Sequence, residues 1–209
     1  MATIENLSKC VIRGNVAKTK KMTQALIDEG AVPLDIINKG LIAGMNVVGV
    51  RFKNGEMFVP EVMVAAKAMS QGIEIVKPLI AETDMPSAGK VLLGTVKGDL
   101  HDIGKNLVGI MLESSGYTVI DIGIDKSPES FVNAIKEHQP HIMGMSALLT
   151  TTMLHMKDTI ELMKEEGLGH VKAIVGGAPI SQDFADEVGA DGFAPDAASA
   201  VDLCNALLS

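Results

Sequence analysis

The chain has 209 residues, 47% of them apolar, and a formal net charge of −8. That length and apolar content favour a folded chain of one large or two small domains. The acidic balance argues against nucleic acid and anionic membrane surfaces as partners. No apolar run approaches the roughly 20 residues of a membrane span, and the N-terminus lacks the apolar region of a secretion signal. The two cysteines, Cys10 and Cys204, lie far apart and have no metal-like spacing. Two free thiols fit a reducing compartment, so we expect a cytoplasmic protein.

Residues 1–88 carry only helical patterns. Glycine follows the predicted helix ends, and Pro33 and Pro60 stand where helices begin, which is the usual punctuation. Short links between four helices favour a small bundle. The predicted helices are Ile4–Ile12, Val16–Ile27, Leu34–Phe52 and Glu61 to about Ile80.

A polar stretch, Ala81–Gly89, predicts a linker, so the expected domains are residues 1–88 and 89–209. Beyond it, short apolar strands alternate with helices, which indicates a parallel sheet covered on both faces. The predicted fold class is therefore α/β, with a four-helix bundle followed by a flavodoxin- or Rossmann-like five-stranded parallel sheet. The predicted strands are Lys90–Val96, Thr118–Ile122, Ile142–Ser146, Ala173–Val175 and Gly192–Ala194, and the helices are Asp102–Ser115, Pro128–Glu137, Thr151–Glu166, Ile180–Val188 and Ala197–Leu208.

The main chemical signal is the loop Asp99–Gly104, which follows the first predicted strand. Ligands of open α/β sheets bind at the carboxyl ends of the strands. If the strand order is 2-1-3-4-5, this loop lies beside the polar loop Ser146–Thr152 and near Gly176-Gly177. An aspartate can hydrogen-bond one ring nitrogen of a nearby histidine and leave the other as a metal ligand. We therefore expect a ligand site around Asp99 and His101.

Several residues of these loops also fit simpler roles. Asp102 suits a helix N-cap, and the threonines of Thr150–Thr152 could cap the next helix. Lys105 at a helix start fits either phosphate binding or plain exposure to solvent. Gly176-Gly177 is as typical of a turn as of a ligand cradle.

The three loops together resemble the cobalamin-binding module. Its pattern is D-x-H-x-x-G, then S-x-L, then G-G, which here reads Asp99–Gly104, Ser146–Leu148 and Gly176-Gly177. The helical half is similar to the cap domain of the same family, through Gly44–Gly49 and Phe52–Val62. Both parts occur in methionine synthase and in corrinoid proteins of anaerobic methyltransferase systems. The resemblance covers nearly the whole chain, whose size is that of a stand-alone corrinoid protein.

The resemblance implies that cobalamin binds base-off and His-on, with His101 as the lower axial ligand of cobalt. Asp99 would hydrogen-bond the other imidazole nitrogen of His101, and the hydroxyl of Thr152 would complete this chain of hydrogen bonds. Ser146 and Thr150 would hydrogen-bond the displaced base. The implied cofactor-binding residues are Asp99, His101, Asp102, Gly104, Ser146, Leu148, Thr150, Thr152, Gly176 and Gly177.

The implied function is that of a methyl carrier without catalytic residues of its own. Co(I) would take a methyl group from a substrate-specific methyltransferase, forming methylcobalamin as methyl-Co(III). A second methyltransferase would pass that methyl to tetrahydrofolate or a thiol, and a reductive activase is an expected partner. The donor stays open among methylamines, methanol, betaines and methoxyaromatics. Five cap residues are expected to cover the upper face of the cofactor: Met57, Phe58, Val62, Met63 and Met69.

Three other functions fit parts of the chain. A B12-dependent sensor normally needs a DNA-binding domain, which the sequence does not show and the net charge opposes. The small subunit of an adenosylcobalamin mutase shares D-x-H-x-x-G but usually lacks this helical cap. A flavodoxin-like nucleotide or flavin module would carry hydroxyls and glycines after its first strand, where this chain has Asp99 and His101.

Overall fold

The computed structural model describes residues 2–80 and 87–209, so residues 81–86 of the predicted linker lie outside the described part. The chain divides into two compact units. One comprises Met1–Ser87 with Ser114–Gly116, and the other comprises Ala88–Glu113 with Tyr117–Ser209. Within the described residues, no helix is both long enough and apolar enough to cross a membrane.

Side-chain hydrogen bonds cap the N-termini of the first two helices of the first unit. The Thr3 hydroxyl accepts the Asn6 N–H at 3.1 Å, and the Asn15 side chain accepts the Lys18 N–H at 3.0 Å. Such caps satisfy backbone donors that have no partner within the helix. The main α-helices are α1 (Ile4–Ile12), α2 (Val16–Asp28), α3 (Pro33–Asp35), α4 (Ala43–Lys53) and α5 (Val59–Val76). Their core includes Leu7, Val11, Ile36, Leu41, Val48, Val62 and Met69.

The predicted single helix Leu34–Phe52 is wrong in one respect, because residues Ile36–Ile42 between α3 and α4 form a π-helix. The Ala43 N–H donates to the Asn38 carbonyl, five residues back. Ile36 and Ile37 of this segment are both buried in the core. Apolar spacing alone did not reveal the change, because both helix types bury similar positions.

The second unit is a five-stranded parallel sheet, which confirms the predicted fold, and its strands in sequence order lie as 2-1-3-4-5, the order on which the expected site depends. The three central strands of the sheet are mostly buried, as expected for a parallel sheet with helices on both faces, whereas the edge strand Tyr117–Asp121 is mostly half-buried or exposed. The strands are β1 (Gly89–Thr95), β2 (Tyr117–Asp121), β3 (Ile142–Ser146), β4 (Lys172–Gly176) and β5 (Gly192–Phe193). The helices are α6 (Ile103–Ser114), α7 (Pro128–His138), α8 (His155–Glu165), α9 (Gln182–Val188) and α10 (Ala197–Leu208).

The register of the sheet brings three strand ends level. Thr95 of β1 pairs with Ser146 of β3, and Ser146 pairs with Gly176 of β4. The loops that follow these strands therefore leave the sheet from neighbouring points on its carboxyl edge.

Candidate functional site

A fully buried carboxylate, Asp99, joins the loop after β1 to the loop after β3. Its Oδ1 accepts the His101 backbone N–H at 3.1 Å and lies 2.7 Å from His101 Nδ1. Its Oδ2 accepts the Leu148 N–H at 2.7 Å and the Thr152 hydroxyl at 2.8 Å. The structure thus brings four of the predicted site residues into one hydrogen-bonded cluster.

The cluster fixes the charge of Asp99 and the proton position on His101. Burial by itself would raise the pKa of Asp99, but the hydrogen bonds from Leu148, His101 and Thr152 outweigh it and hold that pKa well below its ordinary value. An ionised carboxylate can only accept, so His101 Nδ1 carries a proton. The neutral ring then has its lone pair on Nε2. Because the His101 side chain is 51% exposed, that nitrogen is available to an incoming metal ion.

The helix after β3 begins later than predicted, and the turn before it contains Thr152. Thr152 is buried, and its hydroxyl donates to Asp99, so this turn belongs to the site. Helix α8 begins at His155 after Leu154, which gives no side-chain cap, whereas we predicted a start at Thr151. The alternative that Thr150–Thr152 cap the helix is therefore wrong.

Lys105 has a role that the sequence did not suggest. Its side chain is buried, forms an ion pair with Asp121 and donates to Asn106 Oδ1 at 3.0 Å. The expectation of simple exposure to solvent is therefore wrong. Asp121 ends β2, the neighbour of β1, and that adjacency is the signal that could have revealed the pair.

The remaining polar positions of the motifs lie outside the Asp99 cluster. Asp102 precedes α6 and accepts the Asn106 N–H on its carbonyl at 2.7 Å, as a helix N-cap residue does, while its carboxylate accepts the Asn106 amide at 3.1 Å. Ser146 is half-buried and Thr150 is exposed. Across residues 2–80 and 87–209, neither hydroxyl has a hydrogen-bond partner, so both can bind a ligand.

The motif glycines differ in what requires them. Gly177 has a φ of +133°, and a Cβ there would overlap the carbonyl oxygen of Ala147. A Cβ at Gly176 would approach the Ala194 carbonyl to 3.0 Å. A Cβ at Gly104 would meet none of the described atoms within 4 Å beyond its own helix turn and chain neighbours. Packing between loops therefore accounts for Gly177, whereas the space at Gly104 is open.

Apolar side chains on the two loops that flank Asp99 are exposed. Such a surface favours a ligand with an apolar face. In the part of the chain that the structure describes, no group of three His, Cys, Asp or Glu side chains could hold a metal ion. The exposed side chains are Leu100, Ile103, Leu148, Leu149 and Leu154.

Comparison with known proteins gives a consistent result. Profiles described as a B12 binding domain match residues 89–202 and residues 3–77. A corrinoid protein of Desulfitobacterium hafniense is 45% identical over 212 residues, covering 100% of this chain and 98% of that protein. Dimethylamine corrinoid protein 1 of Methanosarcina acetivorans is 49% identical over 179 residues, covering 85% of this chain and 84% of its own length. In the crystal structure of the methanol:cobalamin methyltransferase complex from Methanosarcina barkeri, one chain is 33% identical with a TM-score of 0.88, covering 98% of this chain and 79% of that one.

Proposed function

Because the chain belongs to the B12-binding family of corrinoid proteins, we propose that it binds cobalamin beside Asp99 and carries methyl groups between two methyltransferases. One observation carries the proposal. The His101 ring is fixed through Nδ1 on a buried carboxylate, and its half-exposed side leaves Nε2 free for a metal.

The residues at this edge of the sheet fit a corrinoid. A macrocycle brings its own equatorial nitrogen ligands, so a single protein ligand suffices, and His101 supplies it. The exposed leucines and Ile103 suit the apolar face of the macrocycle. The bound corrinoid supplies a cobalt ion that accepts and releases methyl groups.

The protein residues hold and orient that group. We assign His101 as the lower axial ligand in a base-off arrangement, with Asp99 and Thr152 fixing the orientation and tautomer of its ring. The unpartnered hydroxyls of Ser146 and Thr150 would bind the displaced nucleotide base. The tail would pass Gly176 and Gly177, while Asp102, Gly104 and Leu148 would lie against the ring.

The helical unit, which we assign to residues 1–88, would shield the reactive face. Of the five side chains expected to do so, Met57, Val62 and Met69 are buried in the core of that unit, with at most 8% of each residue exposed. Phe58 and Met63 are 67% and 50% exposed. We therefore assign the shielding role to these two. The second domain would be residues 89–209.

The partners follow from the carrier role. A substrate-specific methyltransferase would load the protein, a second methyltransferase would unload it to tetrahydrofolate or a thiol, and a reductive activase would restore oxidised cobalt. Relatives are named for dimethylamine and for methanol, so methylated amines and alcohols are the donors to screen first. Cys10 and Cys204 are both free thiols, which fits the reducing conditions of a cytoplasmic location.

Reconstitution with hydroxocobalamin tests the proposal, with His101→Ala as the variant. His155→Ala is a matched control, because His155 also places Nδ1 on a carboxylate, Asp158, at 3.0 Å. We expect the wild type and His155→Ala to retain colour through gel filtration with the same visible spectrum. His101→Ala should bind more weakly or show a shifted spectrum. Absence of retained colour in the wild type would refute cobalamin binding.

The carrier role needs a separate assay. The reduced, loaded protein is mixed with each candidate methyltransferase and its ¹³C-methyl donor, and the label bound to the protein is measured. Label should appear with one donor class and leave on addition of the second methyltransferase with its acceptor. If no methylated amine or alcohol labels the protein, the proposed donors are wrong.

A further inference from the structure

The loop between β2 and α7 contains a residue in an unfavourable backbone conformation. Asp125 has a φ of +53°, and among the described non-glycine residues only Gln139 shares a positive φ. Gln139 is a helix C-cap, where left-handed geometry is common, whereas Asp125 lies inside a loop. Such a conformation is strained and persists only when surrounding contacts enforce it.

Asp125 and its neighbour Lys126 form hydrogen bonds with the segment between Thr95 and Asp99, which precedes His101. The Asp125 carboxylate accepts the Gly98 N–H at 2.7 Å, and the Asp125 N–H donates to the Asp99 carbonyl at 3.1 Å. The adjacent Lys126 N–H donates to the Thr95 carbonyl at 3.0 Å. Asp125 therefore holds the turn on both sides of the peptide that joins Gly98 to Asp99.

The opposite side of the same turn is held by Thr95. Its buried hydroxyl donates to the His101 carbonyl at 2.9 Å. The Asp99 side chain then sets the direction of the ring through Nδ1. The position of the His101 ring thus depends on where the Gly98–Asp99 peptide lies. The N–H of that peptide donates to the Val96 carbonyl at 3.1 Å, and Asp125 holds the groups on either side of it.

We propose that Asp125 is a positioning residue for the cobalt ligand, which acts through the Gly98–Asp99 peptide to hold the His101 ring in its ligating orientation. This inference rests on the proposed function. Loss of the carboxylate frees the Gly98 N–H and lets the turn move. The effect on cobalt binding passes through His101 and disappears when His101 is absent.

Two substitutions separate the carboxylate from the backbone conformation. Asp125→Gly removes the acceptor but keeps the N–H that bonds Asp99, and glycine adopts a positive φ without strain, so the fold is retained. Asp125→Asn keeps a side-chain oxygen acceptor and also tolerates the left-handed region. Circular dichroism verifies that both variants are folded.

The first measurement uses the protein without cofactor. Amide hydrogen exchange at Gly98, followed by NMR, should accelerate at least tenfold in Asp125→Gly and stay near the wild-type rate in Asp125→Asn. Gly98 is exposed, so its protection depends on this one bond. Equal protection in wild type and Asp125→Gly would overturn the proposal.

The second measurement titrates aquacobinamide, a corrinoid without the nucleotide tail, into wild type, His101→Ala, Asp125→Gly and the double variant. Second-sphere changes typically weaken metal binding about 10-fold to 100-fold. We expect about tenfold weaker binding in Asp125→Gly and no further loss when it is added to His101→Ala. Equal losses in both backgrounds, or none in either, would overturn the proposal. If wild type binds no better than His101→Ala, the proposed function fails instead.

Discussion

Asp99→Asn tests the central hydrogen-bond cluster in the protein without cofactor. The substitution keeps the shape of the side chain but replaces one oxygen with an NH₂ group. In either orientation that group faces a backbone donor, either the His101 N–H at 3.1 Å or the Leu148 N–H at 2.7 Å. If the amide oxygen faces Leu148 and Thr152, the hydrogen bonds from the Leu148 N–H and the Thr152 hydroxyl are kept, and these are shorter than the bond from the His101 N–H. The NH₂ group then faces His101.

The cost follows from the bonds that change. The lost bond from the His101 N–H to a charged acceptor is worth about 1.5–3 kcal/mol, and the remaining bonds weaken as the charge disappears. Relief from burying a charge offsets part of that loss. We expect a net destabilisation of about 3 kcal/mol, which corresponds to roughly 6–12 °C in Tm for a chain of this size. His101 Nδ1 must also become an acceptor, which places the proton on Nε2 and removes the lone pair that would bind cobalt.

Thermal and urea unfolding followed by circular dichroism measure this change. Asp102→Asn is the control, because it makes the same charge change three residues away at a partly exposed side chain. We expect its stability to stay within about 0.5 kcal/mol of the wild type. If Asp99→Asn is as stable as Asp102→Asn, the Asp99 cluster does not hold the two loops together and the reasoning fails.

Three further predictions address single features of the structure. Thr152→Val should lower the free energy of unfolding by about 1–2 kcal/mol, because it removes the hydroxyl that donates to Asp99, while Thr152→Ser should lower it less. Urea titration measures both free energies, and equal losses in the two variants would show that the hydroxyl has no role. Burial raises the pKa of the Cys204 thiol to about 12, so iodoacetamide at pH 8 should label this thiol in unfolded protein but not in native protein. Fast native labelling would contradict this. The free energy of unfolding should keep the full contribution of the protonated thiol below about pH 9 and lose it as the pH rises toward 12. Gly177→Ala should unfold the second unit or abolish soluble expression, because a Cβ there overlaps the Ala147 carbonyl oxygen. Gly104→Ala should raise apo-protein stability by up to about 1 kcal/mol, since among the described residues nothing beyond its own helix turn opposes the new methyl, and similar melting curves for the two variants would contradict this difference.

The sequence predicted the sheet and its edge because these features depend on local patterns. Short apolar strands alternating with helices admit few parallel topologies, and the loops after β1 and β3 follow directly from the strand order. The pairing of His101 with Asp99 was expected from their spacing. What the sequence could not give is the direction of each bond, which depends on the burial of Asp99 and on the acceptor-only chemistry of its carboxylate.

Two of the missed features involve residues far apart in the chain. The position of Lys105 at a helix start indicates exposure or phosphate binding, but its ammonium is buried against Asp121, sixteen residues away. Asp125 gave no signal, because neither its left-handed backbone nor its bond to Gly98 follows from local preferences. In the helical unit, apolar spacing did not distinguish the buried Met69 from the exposed Met63.

The identity of the nitrogen atom on cobalt is the most direct test of the account. The protein is produced with ¹⁵N-labelled histidine, loaded with unlabelled cobalamin and reduced to the paramagnetic Co(II) state for EPR. An axial nitrogen from His101 should split each cobalt line into a doublet, because ¹⁵N has spin one-half, and His101→Ala should lose that splitting. A triplet from ¹⁴N in the labelled wild-type protein would mean that the nucleotide base of the cofactor remains on cobalt, and it would contradict the assignment of His101.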